Sequence, residues 1–292
     1  MPIAVTALHP VIGAQVTGVD LREPLDQADI DAIEDAIAHF AVLVLPGQFI
    51  SDEQQMDFSR RFGELETTVR AYRKDDMPRL DAHIADISNL DRDNKVRAKT
   101  DRLRLNALGN RLWHSDSSFK RIPARYSLLS ARTIPSGGGE TEFADMRAAW
   151  DALPDPMKAR LGGLICEHTQ LFSRATIAFT DWSPEEREKM APVPQVLVRT
   201  HLRSGRTSLF LSSHAGRIRG MEEPEARVLL MDLTEHATQR AFVYAHRWTE
   251  GDLTMWDNRC TMHRARAYDE MQVRDMHRTT VSCGVPTVAD AD

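Results

Sequence analysis

Three residues in the sequence have the types and spacing needed to bind a metal ion. His114 and Asp116 are separated by a single residue in the segment 112–117. If this segment is extended, both side chains lie on one face, because side chains alternate between the two faces of a strand. His263, which follows a turn-rich stretch, is a candidate third ligand. Two imidazoles and one carboxylate leave coordination positions open for exogenous ligands, which is typical of non-haem iron(II) oxygenases.

A His-x-Asp pattern is weak evidence by itself, since His–Asp pairs often only satisfy each other's hydrogen bonds. The chain contains 11 histidines, so a further histidine downstream adds little. Two histidines and a carboxylate also serve catalytic zinc. From these residues alone, an iron oxygenase, a zinc hydrolase and a non-enzymatic barrel that binds an acid without metal all remain open.

Two arginines close to the C-terminus, Arg274 and Arg278, add a second signal. A strand would place both on one face, about 13 Å apart along the chain. Burying two cations is costly unless anions pair with them, and the planar fork of arginine suits a carboxylate. The pair therefore indicates two anions, a carboxylate cosubstrate and an acidic substrate. The alternative is an exposed basic edge strand with solvated side chains.

Short apolar stretches bounded by turn residues predict the strands that would position these groups. They lie at residues 16–21, 41–45, 126–134, 241–248, 253–256 and 278–283. Helices are predicted after the capping residues Asp26, Ser51 and Asp145, with a fourth beginning near Pro224. Without a regular βαβ alternation, we predict a mainly antiparallel β core with flanking helices, as a jelly-roll or double-sheet barrel.

No internal repeat or Gly/Ser-rich linker divides the sequence, so a single domain over residues 1–292 is predicted. Residues 66–110 are polar and irregular. A stretch of that length inside a compact domain is usually an active-site lid or an insert. We therefore predict a lid or insert over about residues 66–110, which would help to choose the substrate.

The composition excludes several classes of protein. With 42% hydrophobic and 27% charged residues, the chain has the composition of a folded globular protein. A net charge of −6 argues against a nucleic-acid partner. Three cysteines without paired spacing predict neither a disulfide framework nor a zinc ribbon. The sequence shows no secretory leader and no apolar run that could span a bilayer, so we expect a cytoplasmic protein without a membrane partner.

Several segments together resemble the taurine dioxygenase-like, 2-oxoglutarate-dependent family. They are residues 114–116, 138–143 and 256–259 with His263, and the pair Arg274 and Arg278. The resemblance extends almost from end to end, from residues 17–21 to residues 279–280. Residues 112–119, 126–131 and 142–149 are most similar to the branch that degrades phenoxyacetate herbicides such as 2,4-dichlorophenoxyacetate.

This resemblance implies roles for six residues. His114, Asp116 and His263 would bind iron(II), Thr141 and Arg274 would hold 2-oxoglutarate, and Arg278 would pair with the anionic group of the substrate. It also implies a double-stranded β-helix fold and a reaction with dioxygen that forms succinate and CO2. A phenoxyacetate would be cleaved to a phenol and glyoxylate. A taurine or alkyl-sulfate oxygenase is the alternative within the family, and a homo-oligomer is left open.

Two further histidines, His201 and His214, lie near predicted strands. His214 could line the substrate pocket, but the commoner outcome for such a group is a hydrogen-bonded structural position. Neither is assigned to the site.

Overall fold

The computed structural model describes residues 3–68 and 78–289, which contain many short strands together with flanking helices. In chain order the strands are β1 (Ala4–Ala7), β2 (Ala14–Thr17), β3 (Val42–Leu45), β4 (Ala85–Asp86), β5 (Ala124–Thr133), β6 (Thr141–Asp145), β7 (Ile165–His168), β8 (Val193–Val196), β9 (Val198–Thr200), β10 (Thr207–Leu209), β11 (Ala215–Ile218), β12 (Val243–His246), β13 (Leu253–Asp257), β14 (Thr261–Ala265) and β15 (Asp275–Ser282). The helices are α1 (Gln27–Phe40), α2 (Asp52–Arg60), α3 (Arg102–Ala107), α4 (Met146–Asp151), α5 (Asp155–Leu161), α6 (Gln170–Thr176), α7 (Pro184–Lys189) and α8 (Glu223–Ala237).

The largest sheet contains seven strands in the order β1-β2-β3-β13-β5-β15-β4. Its neighbouring strands are antiparallel, except that β2 pairs in parallel with β3. A second, three-stranded antiparallel sheet has the order β12-β6-β14. The remaining strands form the sheets β11-β7-β8 and β10-β9. The observed β-rich core with flanking helices agrees with the predicted class.

Helices α1 and α2 begin where their capping residues predict. The Asp26 side chain accepts a hydrogen bond from the Asp29 backbone N–H, which satisfies one of the free donors at the start of α1. Ser51 and Gln54 form a reciprocal capping box at the start of α2. From α2, the buried Gln55 donates hydrogen bonds to the carbonyls of Leu128 and His277. This side chain therefore fixes α2 against the adjoining strands β5 and β15.

The α1 helix buries one apolar face against the large sheet. Ile30, Ile33 and Ile37 are buried together with Leu43 and Leu128 in the same hydrophobic cluster. Each fully buried side chain of this size contributes about 1.5–3 kcal/mol to folding. Among the described residues, no helix is long and apolar enough to cross a lipid bilayer.

The predicted strands are present with shifted bounds. Strand β2 begins and ends earlier than predicted. It ends at Thr17 because the next residue, Gly18, has a φ of +86°, which ends the extended backbone. The stretch predicted at 241–248 begins as a 3₁₀ turn at Arg240–Phe242 and becomes a strand only in β12.

The segment predicted as a lid is partly regular. Residues 69–77 of it lie outside the described residues. The rest contains β4, α3 and a 3₁₀ turn at Leu108–Arg111. Asp101 caps α3 by accepting a hydrogen bond from the Arg104 N–H. The sequence patterns did not predict this helix.

Candidate metal centre and anion cavity

The backbone brings two of the predicted ligands together by direct pairing. His114 and His263 form an isolated antiparallel bridge, in which each N–H donates to the carbonyl of the other residue at 3.0 and 2.8 Å. His263 lies on β14, whereas His114 belongs to no regular strand. The ring centroids of the two imidazoles are 4.2 Å apart.

Asp116 reaches the same point through a turn. The chain enters a turn at Asp116, and Ser117 adopts a left-handed φ of 52°. The condition that 112–117 is a regular strand is therefore not met, although the side chains converge as predicted. Asp116 Oδ2 accepts a hydrogen bond from Ser127 Oγ at 2.7 Å, and the Asp116 N–H donates to Asn258 Oδ1 at 3.0 Å. Asn258 also donates to Ser127 Oγ at 2.9 Å, which closes a small network around the carboxylate.

The three side chains have the separations expected of ligands to one ion. Asp116 Oδ1 lies 3.9 Å from His114 Nε2, and Asp116 Oδ2 lies 3.7 Å from His263 Nε2. The ligand atoms of all three residues lie within 4.8 Å of one another, and all three residues are buried. Bonds of about 2.0–2.2 Å to one ion place ligand atoms at most about 4.4 Å apart, so the two Asp–His pairs already fit.

Protonation at the cluster also suits a divalent metal. Burial lowers the pKa of His114 and lowers that of His263 well below its usual value. Burial alone would raise the pKa of Asp116, but the charge of Arg278, together with the hydrogen bond from Ser127, holds it at about 2. Two neutral imidazoles and an ionised carboxylate are the states in which these groups coordinate metals. His114 Nδ1 donates to the Leu112 carbonyl at 2.8 Å, which leaves Nε2 free to coordinate.

Aromatic side chains fix the orientation of His263. Its ring centroid lies 4.7 Å from that of Trp256 and 6.1 Å from that of Phe143, with which it stacks. Trp256 donates its indole N–H to Asn258 at 3.0 Å, so the aromatic side chains beside His263 are connected to the hydrogen-bond network around Asp116.

Arg274 and Arg278 line one cavity of about 270 Å³. Arg278 Nη1 donates to Asp116 Oδ1 at 2.6 Å, so the cavity adjoins the metal cluster. The buried Nε of Arg278 has no hydrogen-bond partner among the described residues. Strand β15 lies between β5 and β4, so the alternative of an exposed basic edge strand is wrong.

Arg274 precedes β15, and a bulge between Asp275 and Met276 interrupts the strand pairing between it and Arg278. Its side chain is 5% exposed, and burial lowers its pKa. Nη1 donates to the Ile87 carbonyl at 3.2 Å, but no carboxylate of the described part of the chain pairs with it. A buried cation in this state is suited to bind an incoming anion.

Thr141 is placed differently from the two arginines. It opens β6 and is buried, with its Oγ1 accepting a hydrogen bond from Trp248 Nε1 at 3.0 Å. Thr141 does not itself line the cavity of the two arginines, but its cross-strand partner Ala265 does.

The two unassigned histidines have different surroundings. His201 donates from Nε2 to Asp257 at 2.9 Å and contacts Ser204 through Nδ1 at 3.0 Å, so it is a hydrogen-bonded structural residue. His214 is buried near the metal cluster, with its ring centroid 5.9 Å from that of His114. Its Nδ1 is hydrogen-bonded to Ser173 Oγ at 2.9 Å.

Sequence reasoning missed the side chains that hold Asp116. Asn258 lies inside the 256–259 motif, where its amide could have been suspected. Ser127 lies on β5, where neither its type nor its spacing points to Asp116.

Comparison with known proteins agrees with this geometry. The family model described as taurine catabolism dioxygenase TauD, TfdA family matches residues 4–280. The chain is 46% identical over 280 residues to the alpha-ketoglutarate-dependent 2,4-dichlorophenoxyacetate dioxygenase of Cupriavidus pinatubonensis, covering 96% of this chain and 98% of the relative. It is 35% identical to the (S)-phenoxypropionate/alpha-ketoglutarate-dioxygenase of Sphingobium herbicidovorans, covering 95% of this chain and 94% of the relative.

Among solved structures, the crystal structure of AAD-2 in complex with Mn(II) and N-oxalylglycine superposes with a TM-score of 0.92. The two sequences are 50% identical, and the match covers 99% of this chain and 100% of that chain. Together with the family match, these similarities show that the chain belongs to the TauD/TfdA family of dioxygenases.

Proposed function

We propose that the protein is an iron(II)- and 2-oxoglutarate-dependent dioxygenase that hydroxylates a phenoxyacetate-type acid. The observation that carries the proposal is a His–Asp–His cluster beside a cavity lined by Arg274 and Arg278. A reaction that uses a metal ion, a dicarboxylate cosubstrate and an acidic substrate needs metal ligands close to arginines that can bind carboxylates. The printed activity of the 46% identical relative supports the substrate class.

The residues divide into three groups in this proposal. His114, Asp116 and His263 hold the iron. Arg274, assisted by Thr141, binds 2-oxoglutarate, and N-oxalylglycine in the AAD-2 complex has the same skeleton with one methylene replaced by N–H. Arg278 binds the carboxylate of the substrate.

Bound iron with 2-oxoglutarate and dioxygen supplies the oxidising chemistry, which places a hydroxyl on the carbon between the ether oxygen and the carboxylate. The resulting hemiacetal loses its phenol and leaves glyoxylate, while 2-oxoglutarate becomes succinate and CO2. The chain itself orients the reactants. Ser127 and Asn258 hold the Asp116 carboxylate, and Arg278 neutralises part of its charge. The buried walls around His263 exclude water from the reacting groups.

The proposal extends to the architecture. We assign the large sheet and the β12-β6-β14 sheet to the two halves of a double-stranded β-helix within a single domain. Residues 66–110 serve as the lid, because many residues that line the cavity come from this segment, from Ala85 to Asn110. A cytoplasmic location, where 2-oxoglutarate is produced by metabolism, completes the proposal.

Oxygen uptake by the iron-loaded protein with 2-oxoglutarate tests the function directly. Phenoxyacetate, 2,4-dichlorophenoxyacetate, both enantiomers of a 2-aryloxypropionate, taurine and an alkyl sulfate form the panel. We expect phenol release matched by succinate with the aryloxyacetates. Uptake with taurine or the alkyl sulfate alone would favour the other branch of the family.

A further inference from the structure

Arg174 is a third arginine in the cavity that holds Arg274 and Arg278. It lies near the end of α6, lines the same cavity and is only 6% exposed. Burial lowers its pKa to about 10. The sequence motifs gave no reason to single out this residue.

The chain holds the Arg174 guanidinium in place without neutralising it. Nε donates to Asn106 Oδ1 at 2.8 Å, and Nη1 donates to Ser173 Oγ at 3.2 Å. Nη2 has no hydrogen-bond partner among the described residues. A Cβ added to Gly109 would lie 2.3 Å from Nη1, so the absence of a side chain there makes room for the guanidinium. Arg174 is thus fixed in position and keeps N–H donors that are available to a ligand.

The other arginines of this cavity differ from Arg174 in their partners. Four of them pair with carboxylates that are not metal ligands: Arg97 with Asp101, Arg104 and Arg111 with Glu270, and Arg266 with Glu142. Arg278 pairs with the metal ligand Asp116. Within residues 3–68 and 78–289, only Arg174 and Arg274 line this cavity without a carboxylate partner.

Two unpaired buried cations call for two anions, because a buried charge without a counter-charge is strongly destabilising. The cosubstrate supplies one carboxylate for Arg274. Arg278 already uses Nη1 on Asp116, which limits the donors it can offer to a second carboxylate. Arg174 also lies near the metal cluster, because its Nη1 and the Nδ1 of His214 share Ser173 Oγ, and the ring centroid of His214 lies 5.9 Å from that of His114.

We propose that Arg174 is a specificity-determining residue that binds the carboxylate of the acidic substrate from α6, sharing it with Arg278 on β15. This inference rests on the proposed function for the identity of the substrate. Asn106, Ser173 and Gly109 then act as positioning residues, which aim the guanidinium fork into the cavity. A cation held only for structure would instead be indifferent to whether the ligand is charged.

The experiment compares phenoxyacetate with neutral phenoxyacetamide. Both are titrated calorimetrically, without oxygen, into protein loaded with iron(II) and 2-oxoglutarate. Arg174→Gln should reduce the preference for acid over amide by about 10- to 100-fold, as expected for losing a hydrogen bond to a charged group. Arg174→Lys keeps the charge but loses the fork, so it should retain part of the preference. The affinity for 2-oxoglutarate should stay within about twofold in both variants.

Arg206→Gln is the control, because Arg206 lies outside this cavity and pairs with Asp151, so the variant removes one positive charge without changing the site. Its acid preference should equal that of the wild type. If Arg174→Gln does not fold, Asn106→Ala removes only the Nε hydrogen bond and should lower the preference by a smaller factor. An unchanged acid-to-amide ratio in the folded variant overturns the role of Arg174 while the proposed function stands. A wild type that binds 2-oxoglutarate but neither aryloxy ligand overturns the aryloxy assignment, and with it the ligand given to Arg174.

Discussion

The two faces of β15 carry charged residues in different surroundings. On one face, His277 contacts Asp52 at 2.6 Å and Asp275 at 3.3 Å, and Arg79 pairs with Asp275 in the same network. On the other face, Arg278 contacts Asp116, a proposed metal ligand, and its Nε is buried without a partner among the described residues.

This difference distinguishes charged side chains that stabilise the fold from charged side chains that are available to bind a ligand. In the His277 network, His277, Arg79 and Arg132 each pair with a carboxylate of the chain, so these charges stabilise the fold. In the cavity, Arg174 and Arg274 are buried without a carboxylate partner among the described residues, a state that is tolerable where a bound anion pairs with them. Replacing residues on the first face should therefore change stability, and replacing residues on the second should change binding.

Removing a metal ligand is expected to have the largest effect. His114→Ala, Asp116→Ala and His263→Ala should each abolish succinate formation and lower the bound iron per chain, while the protein stays folded. The reason is that only two of the three ligands remain. Metal analysis, succinate assay and thermal unfolding check this result.

His201→Asn provides the contrast for the ligand variants. It removes a buried histidine whose hydrogen bond goes to Asp257. We expect normal iron content and a loss of about 1–3 kcal/mol of stability, since the buried carboxylate loses a donor. Near-normal succinate production by any ligand variant at saturating iron would remove that residue from the metal site.

Arg274→Ala should weaken 2-oxoglutarate binding by about 2–5 kcal/mol, because the carboxylate of the cosubstrate would be left buried and unpaired. Spectroscopic titration of the iron-loaded protein without oxygen measures this affinity. Arg132→Ala is the control, because Arg132 pairs with Asp52 in the network of the other face. Equal 2-oxoglutarate affinity in wild type and Arg274→Ala would assign the cosubstrate to another residue.

Arg278→Gln should raise the apparent KM for aryloxyacetates by about 10- to 100-fold and reduce the preference for acid over amide. 2-Oxoglutarate binding should change little, and its consumption should become partly uncoupled from phenol release. His277→Gln, one residue away on the opposite face, should leave both quantities unchanged. If the acid-to-amide preference of Arg278→Gln equals that of the wild type, this arginine does not anchor the substrate.

The sequence predicted the residues of the metal cluster better than the backbone that assembles them. His114, Asp116 and His263 converge as predicted, because ligand chemistry restricts the residue types. Their actual geometry depends on a bridge between residues 114 and 263 and on a left-handed Ser117, which are long-range and conformational facts that no local pattern encodes.

The residues that support the fold and the site show the same limit of prediction from sequence. The caps at Asp26 and Ser51 were predictable, since they act within one helical turn. Ser127 reaches Asp116 only through tertiary packing, and the Arg174 guanidinium lies beside Gly109, which belongs to a distant 3₁₀ turn. Contacts between residues this far apart in the chain leave no periodic signal.

The smallest expected effect concerns the face of β15 that carries His277, and it is a dependence of protein stability on pH. Burial alone would lower the pKa of His277, but hydrogen bonds and charges from Asp275 and Asp52 raise it. A group whose pKa is higher in the folded state stabilises fully below its unfolded pKa of about 6.5, and this contribution is lost as the pH rises through the folded pKa. Asp52 and Asp275 have lowered pKa values in the folded state, so their contributions are lost only on acidification below about pH 4.

We therefore expect His277→Gln to be less stable than the wild type near pH 6 and to approach it as the pH rises to about 9. Urea unfolding of both proteins at several pH values gives the two free energies of unfolding. Arg278→Gln measured alongside should not show this convergence, because its charge does not titrate in that range. Parallel curves for wild type and His277→Gln across the range would mean that the imidazole is neutral in the fold, and that the pairing on this face does not depend on its charge.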